Sequence, residues 1–171
     1  MSIDTRLIGG SGGHCVAEAR DHMVGDAVCA SGEGPLRVLL VEDHRLVREG
    51  IKLLLEREPD LAVAGEAADG ETGLRLFARL AAEGRVDLVV CDLGLQSIDG
   101  LEMARGVKAL APAIPVVLLT MHDDDAHRRA MVEAGADGYL LKQAVGGNLC
   151  AAIRAVVRGE PGPHHPPQRP A

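Results

Sequence analysis

Tryptophan is absent from this 171-residue chain and Tyr139 is its one tyrosine, so any tyrosine signal reports a single site. Long apolar runs are missing too. None reaches the ~18 residues of a membrane-spanning helix, and the start MSIDTRLIGGSGGHCVAEARDHM has no cationic stretch leading into an apolar one. Neither a membrane span nor a secretory signal is expected. Positive charge is in deficit, with 18 Lys and Arg against 25 Asp and Glu, for a net charge of −7. That balance argues against a partner held through a phosphate backbone, as nucleic acid would be. The four cysteines, Cys15, Cys29, Cys91 and Cys150, form no CxxC pair and no Cys/His spacing suited to zinc. They read as reduced thiols, and the expectation is a soluble cytoplasmic protein.

What is present is a chain of one domain's size, whose apolar fraction of 47% is enough for a full core. Composition divides it. Residues 1–35, with GGSGGH and SGEGP, show no sustained period and are expected to form a flexible extension. Residues 159–171 are Pro-rich, include His164 and His165, and lack the apolar residues to build anything. Between them, residues 36–158 alternate strand-like and helix-like stretches. LRVLLV is followed by HRLVREGIKLLLERE, where Leu46, Val47, Ile51, Leu54 and Leu55 fall at helical spacing. LAVAGEA, VDLVV, PVVLLT and DGYLL each begin a similar unit. Apolar strands joined by helices predict an α/β fold, a doubly wound five-stranded parallel sheet of (βα)5 form.

Ligands of such folds sit at the carboxyl ends of the strands. The first strand ends in Glu42 and Asp43, the third in Asp92, the fourth in Thr120 and the fifth in Lys142. Three carboxylates brought to one edge repel one another and call for a cation, and oxygen donors of this kind suit Mg²⁺. A carboxylate beside Mg²⁺, a hydroxyl and an ammonium is the set needed to accept a phosphoryl group. Plainer roles exist for each residue. Asp92 could cap the turn after its strand, Glu42 and Asp43 could cap the next helix with Asp43 at the N-cap, Thr120 could be an ordinary strand-end hydroxyl, and Lys142 a solvated surface cation. HDDDAH (122–127) resembles a metal cluster, but three Asp at a helix start are expected to serve the positive end of the helix dipole.

The acidic pair ED, the spacing D-x-x-x-x-x-x-D-G from Asp92 to Gly100, LLT ending in Thr120 and AGADGYLLK ending in Lys142 together resemble the receiver domain of bacterial two-component response regulators. VEDHRLVREGIKLLLE and GEAADG are similar to the NarL/LuxR-type class, in which a helix-turn-helix DNA-binding domain normally follows. Here the Pro-rich tail stands where that class would begin its linker, so a stand-alone receiver and a truncated transcription regulator that has lost its DNA-binding domain are both expected readings. The resemblance implies a flavodoxin-like fold, Asp92 as phosphoacceptor, and Mg²⁺ held by Asp43 and Asp92, with Glu42 acting through water and the Gly94 carbonyl as a further ligand. It implies that Thr120 bonds the phosphoryl oxygen, that Lys142 pairs with it, and that Tyr139 is the switch aromatic. The implied partners are a sensor histidine kinase or phosphotransfer protein, with a second copy or an effector on the helix 4, strand 5 and helix 5 face. No direct DNA binding, no membrane contact and no enzymatic activity beyond self-phosphorylation and self-dephosphorylation are expected. Leu95-Gln96 replaces the family's usual Met-Pro, which loosens the loop, and Gln143 replaces a common Pro after the lysine. A hydrolase of the haloacid-dehalogenase type also uses an aspartyl nucleophile and Mg²⁺, but needs a second Asp at position 94, which is Gly.

Overall fold

The structure, a computed structural model, describes residues 34–160. The expected extension (1–35) and tail (159–171, with His164 and His165) lie outside the described residues, apart from 34–35 and 159–160. Strands and helices alternate as β1 (Leu36–Val41), α1 (Arg45–Glu56), β2 (Leu61–Ala67), α2 (Gly70–Ala82), β3 (Leu88–Asp92), α3 (Gly100–Leu110), β4 (Val116–Thr120), α4 (Asp125–Glu133), β5 (Gly138–Leu141) and α5 (Val145–Val157). A 3₁₀ turn, Lys142–Ala144, joins β5 to α5. All strand pairs are parallel, in the order β2-β1-β3-β4-β5. This is the doubly wound sheet expected from the repeating units.

The reason LVVCD and VVLLT read as unbroken apolar runs is that β3 and β4 are buried at every position. The edge strand β2 is fully covered only at its two ends. Alternation along each strand divides the core in two. Leu39, Val41, Val89, Cys91, Leu118 and Tyr139 pack with Phe77 of α2, Met103 of α3 and Met131 of α4. Val38, Leu40, Val90, Leu119 and Leu140 pack with Ile51 and Leu55 of α1 and with Leu149 and Ile153 of α5. Leu46, expected on the apolar face of α1, is instead 83% exposed. It lies five residues before Ile51, about 140° round the helix from it.

Helix starts are specified by acids. Asp69 accepts a hydrogen bond from the Thr72 amide at 2.8 Å, and Asp99 does so from the Glu102 amide at 2.8 Å. Asp124 accepts from the Ala126 and His127 amides at 3.1 and 3.0 Å, so HDDDAH does contribute the cap expected of it. Helix α1 departs from the capping alternative: its N-cap is His44 rather than Asp43, and no side chain caps it.

At the amino edge of the sheet Asp87 and Asp137 each have a cation of their own. Arg37 grips Asp87 through Nε at 2.8 Å and Nη2 at 2.7 Å, and this bidentate pairing holds the Asp87 carboxyl below its ordinary range against the opposing effect of burial. Lys108 meets Asp137 at 2.7 Å, and the same Asp137 oxygen accepts from the Val116 amide.

Helix α3 starts directly against the end of β3, and its first residue, Gly100, donates its amide to the Leu93 carbonyl at 3.1 Å. A methyl at Gly100 would run into the Asp92 carbonyl oxygen and the Leu93 backbone, which have no flexible side chain to give way. Gly100→Ala is expected to cost about 1–3 kcal/mol of stability, the usual cost of overpacking. Urea unfolding checks this, and a midpoint equal to wild type would contradict the close contact.

Candidate functional site

The order β2-β1-β3-β4-β5 reverses direction between β1 and β3, and the crevice at that point opens at the carboxyl ends of the strands. Glu42 and Asp43 follow β1 immediately, and Asp92 is the last residue of β3. Thr120 is the last residue of β4, while Lys142 opens the 3₁₀ turn just beyond β5 rather than ending the strand. Glu42, Asp92 and Thr120 are the buried polar residues of the described chain, at 0%, 3% and 1% exposure.

Lys142 bridges two of the acids. Its Nζ lies 2.8 Å from Asp92 Oδ2 and 2.9 Å from Glu42 Oε2, and it donates a hydrogen bond to Glu42 Oε1 at 3.2 Å. Burial disfavours the ammonium, but its bonds to Asp92 and Glu42 outweigh that and leave its pKa above the ordinary lysine value. Asp92 Oδ1 accepts from the Gly94 amide at 3.2 Å. The turn-capping role considered for Asp92 is therefore real, and it leaves the other oxygen facing Lys142. Thr120 Oγ1 accepts from the His122 amide at 3.0 Å and donates to the His122 carbonyl at 3.2 Å.

Two oxygens stay without a hydrogen bond. Glu42 Oε2 is buried and touches Lys142 only as an ion pair, off the hydrogen-bond directions, and Asp43 Oδ1 is buried with no hydrogen bond at all. Unmet acceptors next to one another at a strand-end crevice are what a bound cation satisfies. Ligand atoms of Glu42, Asp43, His44 and Asp92 lie within 4.8 Å of one another. The carboxylates were legible from the strand ends; His44 was not, because a histidine following an acidic pair reads as the start of the helix. Tyr139 is buried, at 6% exposure, in the core shared with α2, α3 and α4. No described peptide bond is cis, Lys142–Gln143 included.

The model of the response regulator receiver domain family matches residues 38–154. The chain belongs to that family. Among curated proteins, this receiver is similar to the transcriptional regulatory protein LiaR of Bacillus subtilis (strain 168), at 38% identity over 126 residues, covering 74% of this chain and 58% of LiaR. It is similar also to the nitrate/nitrite response regulator protein NarP of Escherichia coli (strain K12), at 35% over 125 residues, covering 73% and 56%. Among solved structures, a LuxR-family two-component response regulator from Aurantimonas sp. SI85-9A1 superposes with a TM-score of 0.67 at 38% identity, covering 74% of this chain and 88% of that one. The signal receiver domain of NarL from Mycobacterium tuberculosis gives 0.68 at 29%, covering 74% and 99%. The NarL/LuxR-type character expected from the motifs holds. The chain spans a little over half the length of the curated relatives it matches.

Because Lys142 is the cation paired with both Glu42 and Asp92, Lys142→Met should destabilise the metal-free receiver by up to about 3 kcal/mol. That is the low end for stranding buried charge, since Lys142 remains 14% exposed. A pKa raised on folding means the contribution is complete below the ordinary lysine value of about 10.4 and fades as pH rises through the raised one. From neutral pH upward the gap between wild type and variant should hold, then narrow above that range. Denaturant titrations at several pH values check this, and equal stability at pH 7 would contradict it.

Proposed function

We propose that this receiver takes a phosphoryl group onto Asp92 from the phosphohistidine of a sensor histidine kinase or a phosphotransfer protein, in an Mg²⁺-dependent reaction in the cytoplasm. The observation that carries the reading is the shared ammonium: Lys142 stands between Asp92 and Glu42 while neighbouring carboxylate oxygens lack hydrogen bonds. Asp43 and Asp92 would hold the ion, with Glu42 through water and the Gly94 carbonyl as a further ligand. Bound there, Mg²⁺ supplies charge neutralisation for the carboxylates and the phosphoryl oxygens. We take residues 36–158 as the receiver unit, flanked by an extension and a Pro-rich tail. The described helices include none long and apolar enough to cross a membrane. No turnover of an external substrate and no direct DNA contact are proposed for an acidic receiver.

The roles of the chain's own groups follow from their partners. An Asp92 oxygen supplies the electron pair for the new O–P bond, while the donor's P–N bond breaks and its pair leaves with the imidazole. Lys142, already against Asp92 Oδ2, moves its pairing to a phosphoryl oxygen. Thr120 gives up its hydrogen bond to the His122 carbonyl and donates to the phosphoryl group. Exchanging a neutral hydrogen bond of about 0.5–1.5 kcal/mol for a charge-assisted one of about 1.5–3 gains roughly 1 kcal/mol. That is about a fivefold population shift, short of the ~5.5 kcal/mol needed to turn 1:99 into 99:1, so Lys142 and the cation must supply the rest. Tyr139 is already inside, so the change assigned to it is a repacking within its core, felt at the face of α4, β5 and α5 where a partner or second copy docks.

With Mg²⁺ and acetyl phosphate, the chain is expected to gain one phosphoryl group by intact mass, and Asp92→Asn none. Thr120→Ala should still be labelled, while the Tyr139 ring resonances, unique in this chain, respond less to phosphorylation than in wild type. Equal labelling of wild type and Asp92→Asn would overturn the assignment.

A further inference from the structure

We propose that His44 is a fourth ligand of the carboxylate site and gives it a preference for borderline divalent cations that accept imidazole, Zn²⁺ among them, over Mg²⁺. The inference rests on reading Glu42, Asp43 and Asp92 as a cation site. His44 Nδ1 lies 3.1 Å from Glu42 Oε1 and 2.7 Å from Asp43 Oδ1. Two donors on one metal at right angles, with bonds of about 2.1 Å, stand about 3.0 Å apart, and opposite donors about 4.2 Å apart. Nδ1 and the two carboxylates therefore already have the spacing of adjacent ligands. The 4.8 Å limit that encloses all four residues closes to the full set with small side-chain shifts.

Hydrogen bonding does not use this geometry up. One Nδ1–H cannot serve both carboxylates, and Asp43 Oδ1 remains without a hydrogen bond although the ring nitrogen is near, because it lies off the ring's bonding direction. Nor does helix capping. His44 is the N-cap of α1, yet its side chain makes no cap bond. The side chain is 68% exposed, so a cation can reach the ring from solvent. Carboxylate oxygens alone suit a hard cation, whereas a set of carboxylates plus imidazole is one that zinc accepts readily. A cation of that class on these residues displaces Mg²⁺, so the receiver's occupancy would depend on which divalent cation is available.

Calorimetric titration of the full chain with Zn²⁺, with and without excess Mg²⁺, isolates this site. Only the Zn²⁺ that Mg²⁺ displaces belongs to it, which separates it from the other six histidines, His14, His22, His122, His127, His164 and His165. His44→Gln, which removes no cap bond and should fold as wild type by circular dichroism, is expected to lower the ratio of Zn²⁺ to Mg²⁺ affinity by about tenfold or more. Asp43→Asn should weaken both cations. An unchanged ratio in His44→Gln with Mg²⁺ still bound, or wild-type Zn²⁺ binding that Mg²⁺ does not displace, would overturn the role of His44 and leave the Mg²⁺ site standing. Binding of neither cation to wild type would overturn both readings.

Discussion

Three carboxylates converge on one edge of the sheet, two of them sharing one ammonium, and much of the surrounding structure serves to hold them there. Glu42 is fully buried and Asp92 nearly so, and the cation that touches them both is Lys142. A buried carboxylate with incomplete pairing costs several kcal/mol. The fold places its other strand-flanking acids quite differently. At the amino edge, Asp87 has Arg37 in a bidentate grip and Asp137 has both Lys108 and a backbone amide. The contrast separates acids that are fully paired from the crevice acids, where Glu42 Oε2 and Asp43 Oδ1 lack hydrogen bonds.

Keeping that cluster in place constrains its neighbours. The parallel order β2-β1-β3-β4-β5 is what brings residues 42, 92, 120 and 142, far apart in the chain, to one crevice. Strands β3 and β4, which carry Asp92 and Thr120, are buried throughout and so are fixed from both faces. Gly100 lets α3 begin hard against the end of β3, and the Gly94 amide holds one Asp92 oxygen while the other is left facing Lys142. Ser97, in the same loop, adopts a left-handed backbone with φ of 72°, a conformation that costs a non-glycine residue about 1–2 kcal/mol. Strain of this kind beside Asp92 is held in place by the surrounding packed layers.

Much of this was legible in the residues. Unbroken apolar strands between helical periods pointed to the sheet, and the polar residues at or just past the ends of β1, β3, β4 and β5 pointed to the crevice, because period and strand end are local properties of sequence. What was not legible depended on orientation. The exposure of Leu46 follows from its angle on α1 relative to Ile51, which a list of apolar spacings does not contain. The shift of the α1 N-cap from Asp43 to His44 is a one-residue displacement of a helix start, and it determines whether the Asp43 carboxylate serves the helix or the crevice. The double hydrogen bond of Thr120 to His122 and the 3₁₀ turn at Lys142 likewise depend on backbone geometry. That Tyr139, the implied switch aromatic, sits buried in the core depends on packing.

Charge repulsion at the crevice would be relieved by a bound cation. The most direct measurement is the melting temperature of wild type and Asp43→Asn, each without metal and in millimolar Mg²⁺. Removing one carboxylate should relieve repulsion, so Asp43→Asn should melt above wild type without metal. Mg²⁺ should then raise the wild type, by the equivalent of about 2.7 kcal/mol at a hundredfold excess over Kd, and leave the variant nearly unmoved. A wild-type melting temperature indifferent to Mg²⁺, with Asp43→Asn melting no higher than wild type in its absence, would contradict the account.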